Sequence, residues 1–522
     1  MPKHKKPHFP AVLLILDGWG MAPPGKGNAI SQAKTPNMDR LWRQFPHAQL
    51  RASGTSVGLP PRQAGNSEAG HLNIGAGRVI DQDAVRISRS INDGTFHKNP
   101  ALIQAVRHVN KNNSVLHLMG MLTGDQSPHA DPDHLLALIM LCRQHLVKKV
   151  ALHLFTDGRD SPTNYARELI GKLNGILDPK REVIATIAGR FYMDRKKMWQ
   201  RTERIYNVLT GQALQVNKAE SALDAIKTAY ASGKTDEFIQ PTIIKDNEHE
   251  SPRISDNDAI IFYNLRSDRA RQLTKPFVQV DFDKKNSKSF VRRKVLANII
   301  FVAMTDFGPD LGDILTAYPS QDVKGSLPMV LKNYRQLYIA ESEKFAHVTY
   351  FLNGGYSHPV AGEMRLLVES PDVKKYDLLP EMSASAITDT VVTALDAGRF
   401  DFITLNLANA DMIGHTGNIK AAIKSVEYLD KKIGEIANVV KKKNGLLFVC
   451  ADHGNAEEMI NMKDGAITQH SDSLTPFIIA NFANDKKRKL KTRGTLGNIA
   501  PTILESMGIK TPPQMTGTSL WH

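Results

Sequence analysis

Short runs of consecutive apolar residues alternate with helix-length stretches whose apolar positions recur at helical spacing, and the alternation runs through both halves of the chain. Runs of this kind predict strands buried on both faces, joined by crossover helices around a mostly parallel sheet. Toward the two ends the predicted strands are VLLILD (12–17), FITLNL (402–407), LLFVCAD (446–452) and PFIIAN (476–481). In the middle they are SVLHLM, KVALHLF, VIATIA, DAIIFYNL and ANIIFVAM. The fold class is α/β, with two sheets and two domains.

A chain of 522 residues exceeds what one hydrophobic core usually serves, and an apolar content of 41% excludes general disorder. Acidic and histidine residues of metal-ligand type sit in both end regions, whereas 83–315 lacks them and carries arginine-bearing loops. One domain is therefore expected to be inserted into another: 1–82 with 316–522, and 83–315 between them. The junctions, after GAGRVIDQD and within TDFGPDLGDILTAYPSQDVKG, suit a pair of linkers that act jointly as a hinge. The start MPKHKKPHFPAVLLILDG is basic and then apolar, but its apolar run is short and ends in Asp17. That makes it a buried first strand rather than a signal peptide. No run reaches membrane-spanning length, so no membrane partner is expected.

The two cysteines, Cys142 and Cys450, lie in apolar segments, which argues against a disulfide framework and fits a reducing cytoplasm. The formal net charge of +14 suits either a polyanion partner or an enzyme that attracts small anions. Clusters at KHKK, KKK and KKRKLK are local, and no aromatic-interleaved basic stripe accompanies them, so no nucleic-acid partner is expected.

Ligands of α/β sheets gather at the carboxyl ends of strands, and Asp17, Asp411, Asp452 and His453 all fall just past a predicted strand. A single aspartate there is ordinarily a helix cap or turn former. Four such residues, with His415 four positions after Asp411 and His470 in ITQHSDSLTPF, point instead to a paired divalent-metal site. Mixed carboxylate and imidazole ligation suits manganese, zinc or magnesium, manganese being the best compromise between hard and borderline ligands.

The loop GLPPRQAGNSEAGHLNIGAGRV offers one nucleophile, Ser67. A serine hydroxyl is too weakly acidic to attack phosphorus unaided, and a bound divalent cation lowers its pKa. Read blandly, Ser67 is a helix N-cap. Glycines 65, 70, 75 and 77 permit backbone geometries through which main-chain donors approach a phosphate. In the middle, DGRDSP (157–162), GRFYMDR (189–195) and NLRSDRAR (264–271) each follow a predicted strand and bring several arginines to equivalent strand ends. Arginine forks match phosphate and carboxylate oxygens, so together they read as an anion cradle. Lys344 in ESEKFAHVTYF is a candidate point charge beside the metals, and His129 in LTGDQSPHADPDHL a candidate proton carrier.

The series LLILDGWG, TPNMDRL, GNSEAGHLNIGAGR, FTDGRDSP, NLRSDRARQ, ESEKFAHVTYFLNGG, NADMIGHTGN, ADHGNAEEM and MTGTSL, in this order over nearly the whole length, resembles the cofactor-independent phosphoglycerate mutases of the alkaline phosphatase superfamily. The resemblance implies an alkaline-phosphatase-like three-layer α/β/α domain with an inserted α/β domain. It implies one metal held by Asp17, Ser67, Asp452 and His453 and a second by Asp411, His415 and His470. Both ions are expected to be manganese, with magnesium, zinc or cobalt as substitutes and no bisphosphoglycerate required. Ser67 becomes the phosphorylated residue, and Arg159, Asp160, Arg190, Arg195, Arg266 and Arg269 the substrate cradle, with Lys344 beside the phosphoryl group.

The implied reaction interconverts 3-phosphoglycerate and 2-phosphoglycerate in glycolysis and gluconeogenesis, in a cytoplasmic monomer acting on a small-molecule substrate. The alternative in the same superfamily is a metal-dependent phosphatase or phosphopentomutase. The chain departs from the family pattern twice. GDQSPHADPDH replaces a GGVHSH run, which puts the catalytic histidine at His129 with His134 as the other choice, and GRFYMDR is one residue shorter than the usual arginine motif.

Overall fold

The structure, a computed structural model, describes residues 10–124, 127–246, 249–312, 314–461, 464–482 and 488–522. The basic start MPKHKKPHF, Asp125 and Gln126 of the histidine loop, Asp313 of the second junction, and Lys486 and Lys487 of KKRKLK lie outside these residues. The chain divides into two compact units, Met1–Gln82 with Gln321–His522, and Asp83–Ser320.

Strands β1 (Ala11–Leu16) and β2 (His47–Arg51) precede the insertion. The inserted unit holds β3 (Leu116–Leu122), β4 (Val150–Thr156), β5 (Glu182–Gly189), β6 (Asn217–Ala219), β7 (Thr242–Asp246), β8 (His249–Glu250), β9 (Ala259–Phe262), β10 (Ile300–Thr305) and β11 (Leu315–Tyr318). After it come β12 (Gln336–Glu341), β13 (Met364–Val368), β14 (Phe402–Leu407), β15 (Leu446–Cys450), β16 (Thr475–Asn481) and β17 (Arg493–Thr495). Because β11 pairs with β10, the second junction falls after Ser320, whereas the sequence reading began the closing segment at 316.

In the outer unit the strand order is β13-β12-β14-β1-β15-β16-β2-β17. Strands β12, β14, β1 and β15 run parallel, and β16 is antiparallel to both its neighbours. The wholly apolar β1 divides its side chains between two faces, as strand geometry requires. Ala11, Leu13 and Ile15 pack with Phe448, Ile74 and Ile503 on one side. Val12, Leu14 and Leu16 pack with Val426, Leu429, Ile433 and Ile387 on the other. The second group includes the apolar stripe of the long helix Ile419–Lys442, the first includes Ile74 and Ile503 of helices Ser67–Ala76 and Ile499–Ser506, and the result is a three-layer α/β/α arrangement. Burial of each of these large side chains contributes about 1.5–3 kcal/mol.

The inserted unit has the order β11-β10-β9-β3-β4-β5-β7-β6, with β8 paired to β7. It is parallel from β11 to β5, and β7 is antiparallel to β5. Its core is separate from those of the outer unit, and runs from Leu102 and Leu118 to Phe262 and Val302. Both cysteines are buried and free. Among the described residues no helix is long and apolar enough to cross a membrane.

Candidate active site

Strands β14, β1 and β15 are adjacent and parallel, so their carboxyl ends open on one edge of the outer sheet. Asp17 follows β1 directly, Asp452 and His453 follow β15, and Asp411 sits in the short helix Asn409–Gly414 after β14. Asp17, Asp411, Asp452 and His453 are all buried. Ser67 arrives on the first turn of the helix Ser67–Ala76. The cap of that helix is Asn66, whose side-chain oxygen accepts from the Ala69 amide at 2.9 Å, so the bland role expected for Ser67 falls to its neighbour. The Ser67 hydroxyl is thereby released, at the positive end of a helix, for other work.

Ser67 Oγ donates to Asp17 Oδ1 at 3.2 Å, accepts from Lys344 Nζ at 2.8 Å and lies 2.9 Å from His453 Nε2. Lys344 Nζ also donates to Asp17 Oδ1 and to Asp411 Oδ2, at 2.7 Å each. On the far side of Asp411, its Oδ1 faces His415 Nε2 at 3.3 Å and His470 Nε2 at 3.2 Å. The other nitrogens of these two rings are fixed by main-chain carbonyls, His415 Nδ1 by Thr468 at 2.7 Å and His470 Nδ1 by Gly65 at 2.8 Å. All seven residues expected to hold metal are thus brought together, with Lys344 among them.

Glycine at position 70 has a different reason from the one its sequence suggested. A Cβ there would stand 2.7 Å from the Asp452 carbonyl oxygen and 2.8 Å from the Asp452 Cβ, so its absence lets the serine helix lie directly on the ligand-bearing strand end. Of Gly65, Gly70, Gly75 and Gly77, only Gly77 has positive φ, where it ends the helix.

Electrostatics bind the cluster. Burial alone would raise Asp17 and Asp411, but the Lys344 ammonium, joined by His453 at Asp17 and by His415 and His470 at Asp411, outweighs it and holds both carboxyls below the usual carboxylate range. Burial likewise opposes charge on His453, yet Asp452, with Asp17 and Asp411, pushes the imidazole up to about 10.

The donor set fits divalent cations. Ligand atoms lie within 4.8 Å of one another in three groups: Asp411, His415 and His470; Asp17, His71 and Asp452; and Asp17, Asp411 and His453. Two imidazole nitrogens, His415 Nε2 and His470 Nε2, face each other at 3.0 Å across Asp411, and buried Asp452 Oδ2 has no hydrogen-bond partner. Nitrogen and oxygen donors that converge without pairing are the arrangement a cation takes up.

Residues the sequence did not flag support the cluster. His71 Nδ1 lies 2.9 Å from the Ser67 carbonyl oxygen and 3.2 Å from Asp452 Oδ2. Asn406 donates to Asp17 Oδ2 at 2.7 Å, and Asn455 to Asp411 Oδ1 at 2.8 Å. The available signals were a histidine one helical turn after Ser67 and an asparagine inside the apolar run FITLNL.

In the inserted unit the parallel strands β9, β3, β4 and β5 are neighbours, and their carboxyl ends carry the predicted arginine loops. Arg190 is buried and donates to Asp157 and, at 2.6 Å, to Asp160 Oδ2. His129 Nε2 lies 3.2 Å from Arg190 and 3.6 Å from Asp160, while its Nδ1 faces Asp268 at 3.6 Å. Arg195 pairs with Asp268, and Arg269 donates to the Met193 and Arg190 carbonyls at 3.1 and 3.3 Å. Arg266 acts electrostatically on both His129 and Asp268. Arg159 is more exposed, within 3.8 Å of Glu237.

His134, the other candidate, is fully buried in the helix Pro132–Gln144, with Nε2 2.9 Å from Ser88 Oγ, and makes none of these contacts. Burial, with Arg190 and Arg195 adding like charge, lowers Arg269 to about 10. Guanidinium groups so crowded are stabilised by an anion among them.

Burial depresses His129 to about 4, with Arg190 adding to the effect and Asp268 and Asp160 opposing it. Its imidazole is therefore neutral at physiological pH, ready to accept a proton. The folded pKa lies below the unfolded value of about 6.5, so the stability His129 contributes is intact above that value and is lost as pH falls toward about 4. An NMR titration of the His129 ring is expected to give a midpoint near 4; a midpoint at or above 6.5 contradicts the burial argument.

Fold and site together define a two-unit α/β metalloenzyme, and a model of the Metalloenzyme superfamily matches residues 9–511. Over 518 residues the chain is 48% identical to 2,3-bisphosphoglycerate-independent phosphoglycerate mutase 1 of Methanosarcina acetivorans, covering 98% of each chain. It is 45% identical to 2,3-bisphosphoglycerate-independent phosphoglycerate mutase of Clostridium perfringens, covering 98% of this chain and 99% of that relative. A crystal structure of Leishmania mexicana phosphoglycerate mutase at low cobalt concentration superposes with a TM-score of 0.77 at 29% identity, covering 100% of this chain and 99% of that one. The chain belongs to the 2,3-bisphosphoglycerate-independent phosphoglycerate mutase family, and it is an enzyme.

Proposed function

We propose that this enzyme interconverts 3-phosphoglycerate and 2-phosphoglycerate through a phosphoserine at Ser67, with two manganese ions and without bisphosphoglycerate. The observation that carries the reading is the Ser67 hydroxyl itself, at a helix N-terminus, in contact with Lys344, His453 and Asp17. One ion would be held by Asp17, Ser67, Asp452 and His453 and the other by Asp411, His415 and His470. When bound, the metals supply Lewis acidity that makes the serine oxygen nucleophilic at neutral pH.

The chain's own residues do the rest. Ser67 Oγ attacks phosphorus in line, and Lys344, a fixed ammonium, stabilises charge on the transferring oxygens. Arg190, Arg195, Arg266 and Arg269, with Arg159 and Asp160, hold the carboxylate and hydroxyls of the free glycerate while it turns. An anionic substrate beside His129 would raise its depressed pKa, so that in the complex it gives a proton to the departing alkoxide and later takes one from the neighbouring hydroxyl, and the phosphoryl group returns to the adjacent carbon. Water is kept from the phosphoserine, since hydrolysis would make the enzyme a phosphatase.

The reaction belongs to glycolysis and gluconeogenesis. Buried, free cysteines support the cytoplasm as its place. Isomerisation of 3-phosphoglycerate without added bisphosphoglycerate is expected to vanish on chelation and to return with Mn²⁺. Release of inorganic phosphate in place of the 2-isomer would overturn the reading in favour of a phosphatase.

A further inference from the structure

The buried carboxylate of Glu457 belongs to neither the proposed ligand set nor the reaction, yet it touches three of the segments that carry them. Its Oε2 accepts from the Gly20 amide at 2.9 Å and from the Asn455 amide at 2.9 Å, and its Oε1 accepts from the Ser471 hydroxyl. Gly20 lies on the turn that leaves Asp17, Asn455 follows Asp452 and His453, and Ser471 is the neighbour of His470. Asn455 carries the connection to the fourth segment, since its side-chain amide donates to Asp411 Oδ1 at 2.8 Å and to the Asp411 carbonyl at 3.3 Å.

Two glycines are shaped by this carboxylate. A Cβ at Gly20 would lie 2.2 Å from the Glu457 carboxyl carbon, and one at Gly454 would lie 2.3 Å from Oε1. The backbone has been drawn against Glu457 on both sides. At 2% exposure the carboxylate has left water, and its donors come from separate loops, which main-chain hydrogen bonds from the Ala456 amide to the Gly18 carbonyl and from the Ser471 amide to the Gly454 carbonyl also join. Buried carboxylates of this kind are retained only where their hydrogen bonds are made.

We propose that Glu457 is a positioning residue that sets the mutual placement of the Asp17, Asp411, Asp452/His453 and His470 segments, and so the affinity of both metal sites. This rests on the metal reading given above. Groups that orient ligands from behind are worth about 10–100-fold in metal affinity. A glutamine at 457 keeps the shape: its oxygen accepts from the two amides and its NH₂ donates to the Ser471 oxygen. An alanine severs all of these contacts.

The test is titration of the chelated full-length protein with Co²⁺, followed by calorimetry and by the visible absorption of bound cobalt, alongside thermal unfolding of the chelated protein. Glu457→Ala is expected to weaken cobalt binding by about 10–100-fold and to alter the absorption band, while Glu457→Gln restores most of the affinity. Unchanged affinity and spectrum in a folded Glu457→Ala protein overturn the proposal. So does a lowered unfolding midpoint with cobalt binding intact, which is what a merely structural role produces. If Glu457→Ala does not fold, Ser471→Ala cuts only the arm beside His470 and is expected to weaken one cobalt site while sparing the other; two unchanged sites overturn the proposal. A parent protein that binds no cobalt would refute the metal reading instead, so the two failures are distinguishable.

Discussion

Replacing Ser67 with alanine is expected to abolish phosphoglycerate exchange, by at least about 10⁴-fold in turnover, while metal binding survives in part. The asymmetry follows from the contacts. Ser67 contributes one oxygen to a cluster whose other proposed ligands, Asp17, Asp411, His415, His470, Asp452 and His453, have independent supports in Asn406, Asn455, the Thr468 and Gly65 carbonyls, the Gly18 amide and the Gly454 carbonyl. Removing the oxygen deletes the attacking atom and leaves those supports standing. Lys344 keeps both of its carboxylate partners, so the fold is not expected to suffer. Mass spectrometry of the parent protein trapped with substrate should find phosphate on Ser67, and none in the variant. Substantial mutase turnover by a folded Ser67→Ala protein would remove Ser67 from the nucleophile's role.

The fold was legible where strands are buried on both faces. VLLIL and LLFVC are unbroken apolar runs, and FITLNL is mostly apolar, because helices cover both sides of β1, β14 and β15. Strand β12, Gln336–Glu341, was not recognised although it pairs directly with β14. Its run QLYIAE is bracketed by two polar residues that look like surface positions. Both are buried: Gln336 donates to the Pro328 and Leu331 carbonyls, and Glu341 accepts from Ser370. Strand β2 alternates half-buried with buried positions over only five residues and β13 is nowhere fully buried, and runs so short carry too weak a period to separate from loop.

Much of the site was legible because chemistry gathers at the ends of those same strands. Asp17, Asp452 and His453 could be placed by counting from an apolar run. The supporting residues could not. His71 lies on a helix buried around most of its circumference, which leaves no amphipathic pattern against which a polar residue stands out. Glu457 sits in GNAEEM, where two adjacent acids read as a solvated turn, and its contacts include the Gly20 turn, more than four hundred residues away in sequence. The histidine loop offered His129 first, with His134 as the weaker choice. Tertiary packing separates them, by burying His134 against Ser88 and turning His129 toward Arg190 and Asp268.

Exchanging Lys344 for methionine tests the electrostatic frame, and its effect is expected to depend on metal in a way that no other substitution here shows. The ammonium is 4% exposed and bonded to Asp17, Asp411 and Ser67 at once. Methionine fills similar space but leaves Asp17 and Asp411 without their cation. Loss of one partner from a buried ion pair costs about 3–5 kcal/mol, because the remaining charge is uncompensated. In chelated protein the full penalty is expected as a lowered unfolding midpoint. With Mn²⁺ present the carboxylates regain positive charge, so the difference from the parent should shrink. Turnover, by contrast, should stay low in saturating Mn²⁺, by about 10²–10³-fold, because the charge on the transferring phosphoryl oxygens loses a fixed partner that the metals do not replace. Lys344→Arg is not expected to restore it, since a planar fork does not fit a socket built for a compact ammonium with three diverging acceptors. Thermal unfolding with and without Mn²⁺, set beside turnover in the same samples, separates the two roles. Full activity in either variant would show that the lysine only balances charge in the cluster and takes no part in phosphoryl transfer.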